Sequence, residues 1–210
     1  MVANGERGYL PYYGLPVLDG GSAVYISPEG LNRGWANVDG ADTALVATIA
    51  AAVKTGLCVD EDLVFATGFS YGAALSFQLA CQLGGAVFRA VAPLSGVGGR
   101  EGEPPCGTAP LAFYGQHGLN DTSIAVERGR EMRDIFVRNN GCTPVANGTA
   151  PAVGSGGHVK TVYQGCKAGY PVVWIEFDGP HTATPKDRGS NKTYAAEETW
   201  AFFEQFKSRS

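Results

Sequence analysis

Histidine is scarce in this chain: there are three in 210 residues, at positions 117, 158 and 181. The five cysteines at 58, 81, 106, 142 and 166 include no CxxC pair. A zinc site needs clustered thiolates and imidazoles, so this spacing predicts no metal centre. Lys and Arg number 16 against 20 Asp and Glu, a net charge of −4, and the basic residues never cluster. A nucleic-acid partner therefore has no electrostatic footprint. No apolar run approaches the roughly 20 residues of a membrane-spanning helix, so no membrane partner is expected. The opening MVANGERGYL lacks the charged and apolar segments of a signal peptide.

With 44% hydrophobic and 17% charged residues, the composition is that of a globular protein, and the length suits one domain over 1–210. Scattered cysteines read better as disulfides than as ligands, which points to an oxidising, extracellular compartment. The triplets at Asn120, Asn147 and Asn191 are N-glycosylation sequons that fit such a compartment. Cys142 and Cys166 flank a Gly/Pro-rich stretch, while Cys58 and Cys81 bracket one strand and one helix. Pairing Cys58–Cys81 and Cys142–Cys166 leaves Cys106 without a mate. A secreted-looking body with no signal and an odd cysteine reads as a chain missing its front end.

Apolar, β-branched runs predict strands over Ser22–Ser27, Leu63–Thr67, Val87–Leu94, Leu111–Gly115, Val159–Gln164 and Val172–Phe177. Helical spacing covers Thr43–Thr55 with Asp42 as its cap, Ala73–Leu83, Ile124–Asn139 and Tyr194–Phe206. Strands alternating with helices predict an α/β domain with a mainly parallel sheet flanked by helices. Thr143–Gly157 is low in complexity and reads as a surface excursion.

The sharpest motif is Gly68-Phe69-Ser70-Tyr71-Gly72, set between the strand LVFAT and a helical run. A serine on a tight strand-to-helix turn needs glycine at both flanks, where side chains would collide, and it is the nucleophile of a G-x-S-x-G elbow. Its partners follow in the order Ser, then Asp or Glu, then His. His117 directly follows a strand and precedes any suitable acid. His158 opens a strand and reads as an exposed bystander. His181 lies between the strand VVWIEF and the last helix, where a base is delivered. Asp121, in the loop after LAFYG, is the candidate acid. Asp178 stands too near His181 in sequence, and Asp134 falls mid-helix. The Tyr71 N–H is one oxyanion donor. Trp174 reads as core, and Trp35, in a loop after a strand, as a ring lining the substrate mouth.

Taken together, several segments carry a resemblance. They are GWAN after the first strand, VFATGFSYGAALSFQLAC around Ser70, YGQHGLND, RNNGCTP, HVKTVYQGC, GYPVVWIEFDGPHTATP and the closing WAFFEQF. In this order, from about Tyr12 to Phe206, they resemble the fungal feruloyl esterases of types C and D. These belong to carbohydrate esterase family one and are related to polyhydroxybutyrate-depolymerase-like esterases. The resemblance implies an α/β-hydrolase fold and cofactor-free hydrolysis, with a triad of Ser70, Asp121 and His181. The implied substrates are ferulic and related hydroxycinnamic esters of arabinoxylan or pectin. Family members carry further amino-terminal strands and a His/Gly oxyanion loop before the segment matching Gly8–Leu18. One such strand would lie in the sheet between Ser22–Ser27 and Leu63–Thr67, and the missing part would hold the mate of Cys106. Two other readings use the same scaffold: an esterase for acetylxylan or polyhydroxyalkanoates, and a noncatalytic hydrolase-like binding protein without the oxyanion loop.

Overall fold

A computed structural model describes residues 11–98, 105–145 and 150–207. Its elements in chain order are α1 (Ala41–Gly56), β1 (Phe65–Phe69), α2 (Tyr71–Gln82), β2 (Ala90–Leu94) and β3 (Ala112–Gly118). They continue with α3 (Val126–Asn139), β4 (His158–Val162), β5 (Val172–Phe177) and α4 (Ala195–Glu204). The strands form one sheet in the order β1-β2-β3-β5-β4. All neighbours run parallel except β4, which pairs antiparallel with β5.

The central strands are buried on both faces, which explains their unbroken apolar runs. Side chains of alternate residues point to opposite faces of the sheet. Val91, Phe113 and Trp174 join Leu75, Leu79, Met132 and Phe136 in one core. Ala92, Tyr114 and Ile175 join Tyr13, Phe202 and Phe203 in the other. Helices α2 and α3 thus cover one face, and α4 with the turn around Tyr13 covers the opposite one. This is the layered, mostly parallel α/β architecture expected from the strand–helix alternation.

Several elements differ from the reading of the sequence. Ser22–Ser27 forms no strand. It runs beside Val64 and Phe65 across an apolar cavity of about 290 Å³, so its apolar side chains face the sheet edge without a ladder of hydrogen bonds. Strand β1 begins at Phe65 and runs into the elbow, and β3 continues to Gly118 through Gln116 and His117. Asp42 lies inside the first turn of α1, whose N-cap is Gly40. There the side chain of Asn37 accepts from the Thr43 N–H at 3.1 Å, and Asp42 accepts from the Asn37 N–H at 2.6 Å.

The disulfides are Cys81–Cys106 and Cys142–Cys166. The expected Cys58–Cys81 bridge is therefore incorrect: Cys81 closes onto Cys106, and Cys58 is an exposed free thiol. Position along the chain suggested the wrong mate because Cys81, at the end of α2, faces the segment that follows β2 rather than the one that precedes β1.

Candidate active site

Parallel strands deliver their following loops to one edge of the sheet, where binding sites of open α/β folds collect. Ser70 follows β1, Asp121 follows β3 and His181 follows β5, so all three lie at that edge.

Ser70 sits at φ 55°, ψ −113°, between the last residue of β1 and the first of α2. That positive φ is a strained conformation for a non-glycine residue. Its backbone is held by the Ser70 N–H donating to the Leu94 carbonyl at 3.1 Å and by the Ala74 N–H donating to the Ser70 carbonyl at 3.0 Å. A Cβ on Gly68 would stand 2.4 Å from the backbone of Gly72, and one on Gly96 would stand 2.5 Å from Ala73 Cβ. Glycine is thus required by close approach at Gly68, before the serine, and at Gly96, which packs from just past the end of β2 onto the first turn of α2. Tyr71 opens α2, and the N–H groups of an opening turn have no acceptor within their own helix. Its ring, 55% exposed, stands next to Ser70 in the chain.

The loops after β3 and β5 are zipped together. The Leu119 N–H donates to the Phe177 carbonyl at 2.8 Å and the Asn120 N–H to the Gly179 carbonyl at 3.0 Å. The side chain of Asn120 donates to Asp178 at 2.9 Å, and Asp178 also accepts from the Gly156 N–H at 2.7 Å. Asp178 is therefore a loop clamp. Gly118 permits the contact, since a Cβ there would meet the Gly179 carbonyl oxygen at 2.4 Å.

Within this frame His181 Nδ1 lies 2.6 Å from Asp121 Oδ2. The Asp121 side chain is fully buried, and its Oδ1 accepts from the Ser123 and Ile124 N–H groups at 2.9 and 2.8 Å. The His181 ring packs against Phe69 with centroids 4.5 Å apart, which sets the imidazole beside the residue preceding Ser70. An acceptor on Nδ1 commits that nitrogen as the donor, which leaves Nε2 as the basic one.

The other candidates fall elsewhere. Trp35 is 1% exposed and packs in the core, where a Cβ on Gly30 would lie 2.9 Å from its ring, so it does not line a substrate mouth. Trp174 is core, as read. His158 opens β4, but its ring stacks on Tyr194 at 3.8 Å and its Nδ1 pairs with Asp187 at 2.7 Å. Asp134 pairs with Arg133 at 2.8 Å. Asn120 and Asn191 are exposed, and Asn147 lies outside the described residues.

His117 was passed over in the sequence and is found within β3, wholly buried, 3.2 Å from Asp121 Oδ2. The i, i+4 spacing of His117 and Asp121 was the available signal. Burial lowers its pKa below the ordinary histidine value, partly offset by the Ile124 carbonyl and the charge of Asp121. Glu176, its neighbour on β5, is also buried. Burial alone would raise the Glu176 carboxyl, but hydrogen bonds from Arg130 and Trp174 and the charge of Arg133 hold it below the usual carboxylate range.

Comparison with known proteins agrees with this architecture. No protein-family model matches the chain. It is 48% identical over 202 residues to feruloyl esterase D of Neurospora crassa, covering 95% of this chain and 68% of that protein. It is 44% identical over 204 residues to feruloyl esterase C of Emericella nidulans, covering 96% and 72%. Among solved structures, an acetyl xylan esterase from Aspergillus awamori superposes with a TM-score of 0.54 at 13% identity, covering 78% of this chain and 67% of that one. That likeness concerns the fold, which is the α/β-hydrolase fold. The identity across nearly the whole chain decides the family: the chain belongs to the fungal feruloyl esterases of types C and D and is a carboxylic ester hydrolase.

Proposed function

We propose that this chain is an extracellular serine esterase that releases ferulic and related hydroxycinnamic acids from plant cell-wall polysaccharides. The observation that carries the mechanism is the Asp121–His181 pair at 2.6 Å, with the imidazole packed on Phe69 beside the strained Ser70. His181 Nε2 removes the Ser70 proton as Oγ attacks the ester carbonyl, and Asp121 stabilises the imidazolium that forms. The Tyr71 N–H donates to the developing oxyanion. His181 then protonates the leaving sugar alcohol, and water hydrolyses the acyl-enzyme by the same route. The names of the relatives support the feruloyl substrate. Two disulfides and the exposed sequons support an oxidising compartment.

The test is hydrolysis of methyl ferulate by the chain and by Ser70→Ala. Turnover that disappears in the variant supports the reading. Equal turnover by both proteins overturns it.

A further inference from the structure

Three loop donors converge on Asp121, and an imidazole of β3 lies beside it. Oδ1 takes the Ser123 and Ile124 amides and Oδ2 takes His181 Nδ1 at 2.6 Å, while His117 Nε2 stands 3.2 Å from Oδ2. His117 Nε2 also lies 2.8 Å from the Ile124 carbonyl oxygen. A carbonyl only accepts, so Nε2 carries the proton and donates it to Ile124. The other nitrogen, Nδ1, is buried without a hydrogen-bond partner. It is closed over by α3, where a Cβ on Gly129 would stand 2.3 Å from it. Leaving a buried imidazole nitrogen unpaired costs stability. A hydrophobic side chain would fill the space without that cost.

We propose that His117 is a positioning residue for the ester hydrolysis: its Nε2–H, donated to the Ile124 carbonyl, fixes the segment whose Ser123 and Ile124 amides hold Asp121 Oδ1, so that Oδ2 meets His181. The inference rests on the triad reading above. A neutral donor suits this role, because an imidazolium at His117 would divide the charge of Asp121 between two rings. The groups that face His117 are Asp121, the Ile124 carbonyl, His181 from the loop after β5, Glu176 and Trp174 from β5, and Gly129 from α3. Arg130 and Arg133 of α3 reach it only through Glu176, which they pair at 2.7 and 3.7 Å.

The experiment uses ¹⁵N-labelled protein, with His117→Leu and His117→Gln assayed on methyl ferulate. In the unmodified protein, the imidazole ¹⁵N shifts of His117 are expected to show a protonated Nε2 and a bare Nδ1. His117→Leu, which releases the Ile124 carbonyl, is expected to lose about 10-fold in kcat, the effect of one neutral hydrogen bond, with KM changed less than about threefold. His117→Gln, which restores an N–H donor, is expected to recover kcat to within about threefold. It should also keep the downfield Nδ1–H proton signal of His181 that the Leu variant loses. Wild-type kcat in a folded His117→Leu overturns the proposal, as does equal impairment of Leu and Gln. A proton on Nδ1 in the unmodified protein overturns it without any variant, even if His117→Leu does not fold. Activity surviving in Ser70→Ala would instead sink the triad reading, independently of the His117 tautomer.

Discussion

Asp121 is the residue on which the site converges, and its three donors show how a buried carboxylate is held in one orientation. Replacing it with Asn disturbs the tautomer of His181 more than the packing. Asp121→Asn is expected to lower kcat on methyl ferulate by about 10⁴-fold with little change in melting temperature. The buried His117 makes stability depend on pH. Its folded pKa lies below 6.5, so as pH falls through about 6.5 the unfolded chain takes up the proton first and stability declines. Glu176, held below 4.5 when folded, adds stability that is present above that value and lost on further acidification. The melting temperature is expected to drop between pH 7.5 and 5.5, and the slope to flatten in His117→Gln. An unchanged slope would count against a buried neutral His117. That Ser70, Asp121 and His181 share one sheet edge was readable because each lies just after a strand of the parallel sheet. Trp35 was not, because loop position says nothing of whether a ring turns inward. His117 was missed because strand β3 continues through polar residues whose partners come from distant segments, as when Gln116 donates to the Ala183 carbonyl.

At the level of elements, the site depends on close approaches that only glycine permits. A methyl at Gly68 collides with the backbone of Gly72, so Gly68→Ala must open the turn between β1 and α2. A methyl at Gly118 pushes on the Gly179 and Pro180 carbonyls and thus on the loop that carries His181. Displacements near 1 Å cost about 100-fold in rate. Gly118→Ala is expected to lower kcat by about that factor while circular dichroism stays native. Equal rates would show that the two loops move independently. Strands β2 and β5 and all four helices were legible, because the cores on each face impose apolar periodicity. Ser22–Ser27 misled for the same reason: its apolar side chains line the same cavity as Phe65, but no neighbouring strand shares its hydrogen bonds. The first turn of α1 was misassigned because its N-cap is a glycine and the Thr43 N–H is taken by Asn37, outside the helix.

Across the whole molecule, two disulfides with sequence separations of 25 and 24 residues tie α2 to the segment after β2 and the end of α3 to the hairpin between β4 and β5. Loops of that size are worth about 3 kcal/mol each. Reduction is expected to lower the unfolding free energy by several kcal/mol. The native protein should meanwhile react with one equivalent of a thiol reagent, at exposed Cys58. Labelling at Cys106 in place of Cys58 would restore the Cys58–Cys81 pairing that sequence position suggested. The Cys142–Cys166 bridge was legible from the stretch it closes, whereas the mate of Cys81 was not, because proximity in sequence says little about which helix end meets which loop. The chain spans roughly 70% of the length of its feruloyl esterase relatives. Within it, the turn and loops that carry Ser70, Asp121 and His181 are all brought to one edge of the sheet. The most direct measurement of the account's centre is reaction with a fluorophosphonate, followed by peptide mapping, in the protein and in His181→Ala. The expected result is a single adduct on Ser70 that forms at least 10³-fold more slowly, as an order of magnitude, without the imidazole. An adduct on another serine, or an undiminished rate in His181→Ala, would contradict it.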